Sequence, residues 1–272
     1  MFNNYLKSIL TVVVISHVSL LMACTDVKQK EKLTTTANYI QENVDAFKLA
    51  ENFYFAVKNG ENAQTYITQL ENITKDNLES QLQTNDQKKA FWINIYNTYV
   101  QYLLTKNPEL YEDRSNFFTE ERFTIAGKKL SLDDVEHGII RDSSVKLSMG
   151  HLKDPFASKF EKKFRVSEKD WRVHFALNCG AKSCPPVAFY KSETINEQLE
   201  KSSKTYLTKV VNYKKEVGKV YVPKLMDWFR GDFGGKDGAI KILKNYQFIP
   251  ESADPEVEFL DYNWELDLKN YI

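Results

Sequence analysis

Cysteine, glycine and proline are scarce in this chain: three, ten and seven residues in 272. Three cysteines cannot build a disulfide scaffold. Ten glycines and seven prolines leave no room for a long disordered or collagen-like tract. An excess of one charge is missing as well, since 37 basic side chains face 37 acidic ones. A dedicated nucleic-acid binder would show a basic surplus, so no nucleic-acid partner is expected. Beyond residue 23 no apolar run is long enough to span a bilayer. Aromatic residues are abundant instead: 17 Phe, 15 Tyr and 4 Trp, enough large rings to fill a sizeable core.

The N-terminus reads as an address. Lys7 provides a positive start, and Ile9 to Ala23 is mostly apolar, broken by Ser16, His17 and Ser19. It is shorter than the roughly 20 apolar residues of a spanning helix, which favours a cleaved leader over an uncleaved anchor. Leu21-Met22-Ala23-Cys24 resembles a bacterial lipobox, with Met22 a less usual residue at its position. The expectation is cleavage before Cys24, lipid such as palmitate on that cysteine, and a membrane partner reached through the lipid at the bacterial cell envelope. Removing residues 1–23 takes away one lysine and leaves one acid in excess. Residues 24–36 read as a polar tether, 37–80 as an N-terminal helical region, and 81–272 as the core domain.

Apolar residues at helical spacing predict a helix from Ala37 to about Lys58, stopped by Asn59-Gly60. A second is expected over Ala63–Leu70, and a third, capped by Asp86, from about Gln87 to Leu104. The centre of the third, residues 90–97, is apolar nearly all round, as in a helix buried on every side. Arg122–Ile125 and Lys128–Leu130 flank Ala126-Gly127 as a hairpin. Ser131 caps a helix to about Arg141, and residues 142–170 read as irregular surface. Arg172–Leu177 is expected to be a strand, Thr194 and Glu197 a capping box for a helix to Val210, and Leu225–Arg230 and Ala239–Tyr246 helices. Val210–Tyr213, Val220–Val222 and Glu256–Tyr262 are the remaining strand candidates. Helices mixed with short scattered strands predict an α+β fold, a mainly helical single domain with a small mixed or antiparallel sheet.

Three groups of residues could carry chemistry. Cys179 follows the Arg172–Leu177 segment, with His174 in that segment and Gly180 after it. A nearby base or cation turns such a thiol into a nucleophile; a disulfide to Cys184 or an inert buried thiol are the competing readings. Glu136 falls within the apolar stripe Leu132, Val135, Ile139, Ile140, where a carboxylate is costly unless paired. It is therefore a buried ion-pair member or a functional acid, and His137 stands beside it with Arg141 four residues on. Asn94 and Asn97 lie three apart on the buried helix, with Gln101 beyond. Buried amides must be hydrogen-bonded, so they brace loop backbone, orient a catalytic histidine or stabilise an oxyanion. Cys179, Cys184, His174 and His137 make a poor zinc set: C-x4-C is at the edge of the usual spacing and the histidines form no H-x3–5-H pair. No metal and no cofactor is expected. The glycine cluster Gly231 to Gly238 lacks the order of a phosphate loop and reads as a turn.

Taken together, FWINIYN (91–97), LDDVEHGIIR (132–141), HFALNCGAKSCPP (174–186), Tyr190, VPKLMDWFRGDFG (222–234) and FLDYNWEL (259–266) resemble domain of unknown function family 547. The matches keep the family's order over about residues 85–266. The resemblance implies an exported bacterial type and no assigned activity. The family pattern falls on Asn94, Asn97, Glu136, His137, Arg141, His174, Cys179, Gly180, Ser183 and Pro185. Plant members can carry Ser at the position of Cys184, which favours Cys179 as the essential thiol. Asn263 and Glu265 stand where the family usually has Asp and Ser.

The leading expectation is a lipid-anchored hydrolase or acyl transferase. Cys179 is its nucleophile, and His137 the base oriented by Glu136, with His174 as the alternative base. Asn94 or Asn97 positions the histidine or holds an oxyanion, and Arg141, Ser183 and Cys184 help bind an unknown small-molecule or peptide ligand. The alternative is a non-enzymatic binding or scaffold lipoprotein with a Cys179–Cys184 disulfide.

Overall fold

A computed structural model describes residues 44–268 and 270–272. The leader, Cys24, the tether and the first part of the expected 37–58 helix lie outside the described residues. Asp45–Ile272 forms one unit.

Helix α1 (Ala46–Lys58) begins where the Asp45 carboxylate accepts the Lys48 amide, and it ends at Asn59. Its buried face, including Leu49, Phe53 and Tyr54, packs on the long central helix. Helix α2 (Gln64–Asn72) follows as expected, and α3 (Lys75–Gln81) is an addition that short polar segment did not signal. The central helix α4 (Asn85–Lys106) is buried from Lys89 through Gln101 without a polar face. Its cap is Thr84, not Asp86: Thr84 and Gln87 form the reciprocal capping box, and Asp86 pairs with Lys89 at 3.1 Å. A short α5 (Arg114–Thr119) precedes the hairpin of β1 (Phe123–Ile125) and β2 (Lys128–Leu130), paired antiparallel around Ala126-Gly127.

Two segments take forms that hydrophobic pattern alone does not distinguish. The expected α-helix after Ser131 is a π-helix over Asp134–Ile140, opened by reciprocal bonds between Ser131 and Asp134. It ends where Asp142 and Ser143 adopt left-handed backbone, with φ of 53° and 57°. Single π-helical turns gather at functional sites. The expected strand Arg172–Leu177 is instead a 3-10 helix, Trp171–Phe175. Asp170 caps it by accepting the Arg172 amide, and the backbone beyond it bonds to the Asn97 side chain instead of a neighbouring strand. Within the expected irregular stretch lies a one-and-a-half-turn α6 (Lys159–Phe164).

Helix α7 (Ile195–Val210) starts at Thr194, but the Thr194 side chain makes no capping bond. The last sheet has order β3 (Asn212–Lys214), β4 (Lys219–Val222), β5 (Glu256–Phe259), antiparallel then parallel, with Val220 opposite Val257. With the short α8 (Leu225–Trp228) and α9 (Gly235–Asn245) it encloses a second core around Leu207, Val222, Phe233 and Leu243. The architecture is α+β, helix-dominated, with one two-stranded and one three-stranded sheet among the described residues. Among the described residues no helix is long and apolar enough to cross a membrane.

Candidate functional site

The buried amides of α4 hold the loops around a cavity. Asn94 donates to the Tyr190 carbonyl at 2.7 Å and accepts its amide at 2.9 Å. Asn97 does the same for the Ala176 carbonyl and the Asn178 amide, both at 2.8 Å. Gln101 donates to the Asn178 side chain, which also accepts the Gly180 amide and donates to the Pro185 carbonyl. Both asparagines thus spend their amides on backbone: Asn97 fixes the chain just before Cys179, and Asn94 fixes it at Tyr190, beyond the loop. Gly180 is required there: its φ is 85°, and a Cβ would stand 2.8 Å from the Leu104 methyl.

Held in this way, the loop brings Cys179 to the wall of a cavity of about 450 Å³. Glu136 and His137 reach the same cavity from the π-helix, and His174 from the 3-10 helix. Phe229, Trp228, Tyr262 and Trp264 supply aromatic walls. Trp228, Tyr262 and Trp264 pack on one another with ring centroids 4.6–5.4 Å apart. Four residues from two separate stretches, 136–137 and 174–179, are therefore gathered at one place. Asn94, Asn97 and Arg141 stand behind it, and Cys24 is outside the described residues.

Cys179 is not a free thiol; it is bonded to Cys184. Cys179 is half-buried at the cavity and Cys184 is buried. The Tyr262 hydroxyl lies 3.2 Å from one sulfur and 3.1 Å from the other. Burial pushes the Tyr262 phenol far above its ordinary range, so it stays protonated. Ser183 serves the loop: its hydroxyl accepts the Asn263 amide at 2.9 Å.

Beneath the cavity lies a buried ionic group that sequence reading missed. The Asp232 carboxylate accepts from Arg141 Nε at 2.6 Å and from His174 Nε2 at 2.9 Å, with Lys169 Nζ 3.3 Å away. Burial alone would raise the Asp232 pKa; hydrogen bonds from His174 and Arg141 outweigh it and hold the carboxyl well below its usual range. The Arg141 guanidinium lies 4.5 Å from the centre of the Phe229 ring, and His174 stacks on that ring at 4.0 Å. Arg141 Nη1 also donates to His137 Nδ1 at 2.5 Å. The neutral imidazole therefore carries its proton on Nε2, 3.6 Å from Asp133. Burial, then the Arg141 charge, lowers the His137 pKa to about 3. Burial lowers His174 too, against the opposing pull of Asp232. Glu136 accepts the Tyr96 hydroxyl at 2.9 Å, and among the described residues no cation pairs with it. Lys146 and Arg230 at the rim are already engaged, with Asp133 and Asp227.

No group of three or more His, Cys, Asp or Glu among the described residues is placed to hold a metal ion. The residues that the sequence did not mark are Asp232, Tyr96, Tyr262, Trp228 and Trp264. The signal for Asp232 was present in WFRGDFG, where an acid sits among glycines and aromatics, but the segment read as a turn.

No curated protein and no solved structure matches the chain. Residues 79–207 match the family model described as "Protein of unknown function, DUF547". That segment holds Glu136, His137, Arg141, His174, Cys179 and Cys184, whereas Asp232 and the wall residues Trp228, Tyr262 and Trp264 follow it. The segment that matches the DUF547 family, residues 79–207, thus contributes both histidines, Glu136 and Cys179 to the cavity.

Proposed function

We propose that the protein is a lipid-anchored envelope protein that binds a small, largely apolar ligand in the cavity lined by Trp228 and Trp264. The Cys179–Cys184 disulfide forms part of the wall. The observation that carries this reading is the cavity itself. Its volume, about 450 Å³, is in the range of small-molecule sites, and aromatic sides surround a few convergent polar groups. Glu136, with one hydroxyl partner and no cation among the described residues, is free to fix the ligand's polar end. A cysteine hydrolase fits this arrangement less well. Its nucleophile would be a thiolate, and Cys179 is bonded to Cys184. Its base would need an open ring nitrogen, and His137 Nδ1 is occupied by Arg141.

The test uses N-phenyl-1-naphthylamine, a neutral apolar fluorophore. The full chain should bind it saturably. Trp228→Ala should weaken binding about tenfold, the effect of losing roughly 1.4 kcal/mol of aromatic contact. Absence of saturable binding, or equal binding by the variant, overturns the reading.

The membrane attachment rests on the leader and on Leu21-Met22-Ala23-Cys24. Cys24→Ser should leave the membrane fraction and stop incorporating labelled palmitate. A variant that still takes up the label refutes the anchor.

A further inference from the structure

The two sulfurs of the disulfide are not equivalent. Cys179 is half-buried and faces the cavity, whereas Cys184 is 4% exposed. Two donors converge on the buried sulfur. The Cys179 amide reaches Cys184 Sγ at 2.9 Å and sets it apart, while the Tyr262 hydroxyl lies 3.1 Å from Cys184 Sγ and 3.2 Å from Cys179 Sγ, placed to follow the charge onto the departing sulfur. An incoming group therefore meets Cys179, while the hydrogen bonds are arranged to stabilise negative charge on Cys184.

We infer that the disulfide is a reactive centre for thiol–disulfide exchange with a small apolar dithiol, Cys179 being the sulfur attacked and Cys184 the leaving group. The inference rests on the cavity being the binding site proposed above. It reverses the polarity expected from the sequence, since Cys179 is here the electrophile. In the first step a substrate thiolate attacks Cys179 Sγ. A substrate–Cys179 disulfide forms, the Cys179–Cys184 bond breaks, and its electron pair departs on Cys184 Sγ, received by the Tyr262 hydroxyl and the Cys179 amide. In the second step the other thiolate of the substrate attacks its own sulfur in the mixed disulfide and expels Cys179. The two protons given up by the substrate thiols end on Cys179 and Cys184. A single pass thus converts a dithiol to a disulfide and leaves Cys179 and Cys184 reduced, the protein disulfide itself being the two-electron oxidant. Exchange is faster when the departing thiol has a lower pKa, which is what donors on Cys184 provide.

The full chain, oxidised and undenatured, is treated with 2-mercaptoethanol, quenched with acid, alkylated and mapped. The expected product carries the mercaptoethanol adduct on Cys179 and the alkyl group on Cys184. Tyr262→Phe keeps the ring but removes one donor. It should slow the exchange about tenfold and raise the Cys184 pKa read from thiolate absorbance in the reduced protein. Adducts on Cys184, a disulfide that reacts only after denaturation, or an unchanged Cys184 pKa in the variant overturns the inference. Fluorophore binding by the wild type separates the two readings. Binding with an inert disulfide refutes exchange alone, and exchange at Cys179 without binding refutes the pocket reading alone.

Discussion

Asp232→Ala should lower the free energy of unfolding by about 3–5 kcal/mol, the cost of breaking a buried ion pair from one side. The Asp232 side chain is 2% exposed, and its partners Arg141 and His174 are each 1% exposed. Removing the carboxylate leaves the guanidinium with no anion at hydrogen-bond distance among the described residues, wedged between Phe229 and His137. Space does not permit easy repair: Gly150 approaches so closely that a Cβ there would lie 2.1 Å from Asp232 Oδ1. Asp232→Asn should cost less than Ala, because its amide oxygen still accepts from Arg141. Adding Arg141→Met to Asp232→Ala should recover part of the loss by removing the stranded charge. The check is urea unfolding, with the midpoint falling and the slope unchanged. A loss under about 1 kcal/mol would show that the triad contributes little. The pH dependence has a definite sign. The folded carboxyl titrates below its ordinary 3.8, so its contribution is complete above that value and is lost as the pH falls through the lowered one.

The sequence marked one half of this arrangement and hid the other for physical reasons. Helix α4 was legible because its apolar surface runs all round, which has one structural meaning, burial. Glu136 was legible as a carboxylate in an apolar stripe, and His137, His174 and Cys179 as chemistry-bearing residues near it; all four line the cavity. The π-helix was not legible, since a stripe over seven residues has nearly the same pattern in either helix. Nor was the 3-10 turn at Trp171–Phe175, where a short apolar run is equally compatible with a strand. Asp232 was hidden by distance: 91 residues separate it from Arg141, and an acid beside glycine has no periodicity to violate. The wall residues Trp228, Tyr262 and Trp264 were hidden by abundance, because in so aromatic a chain three more rings carry no contrast. The disulfide stood among the competing readings from the start, since C-x4-C is compatible with a bond, an inert pair or a metal site until the loop is placed.

Stability should fall steadily as the pH drops from about 6.5 to about 3, and His137 should be a principal cause. In the unfolded chain its imidazole takes up a proton near 6.5; in the folded protein, burial and the Arg141 charge delay that until about 3. Between those values the unfolded state binds more protons, so acid favours it. The contribution is fully present above 6.5 and lost progressively below. One such group gives a slope of about 1.4 kcal/mol per pH unit, hence about 2 kcal/mol between pH 6.5 and 5. His174, also lowered, adds in the same direction. Asp232 adds to the fall only at the acid end, as the pH drops through 3.8 and the unfolded carboxyl takes up a proton that the folded one does not. Urea midpoints at pH 7.5, 6.5 and 5 test the slope, and His137→Gln should reduce it while leaving the part due to His174. Midpoints that do not change between pH 7.5 and 5 would mean that both rings accept protons freely in the folded state. The same bond that sets this slope limits the chemistry of the cavity. While Arg141 donates to Nδ1, His137 offers the ligand an Nε2 proton and no lone pair. It can therefore donate a hydrogen bond to a ligand but cannot take its proton.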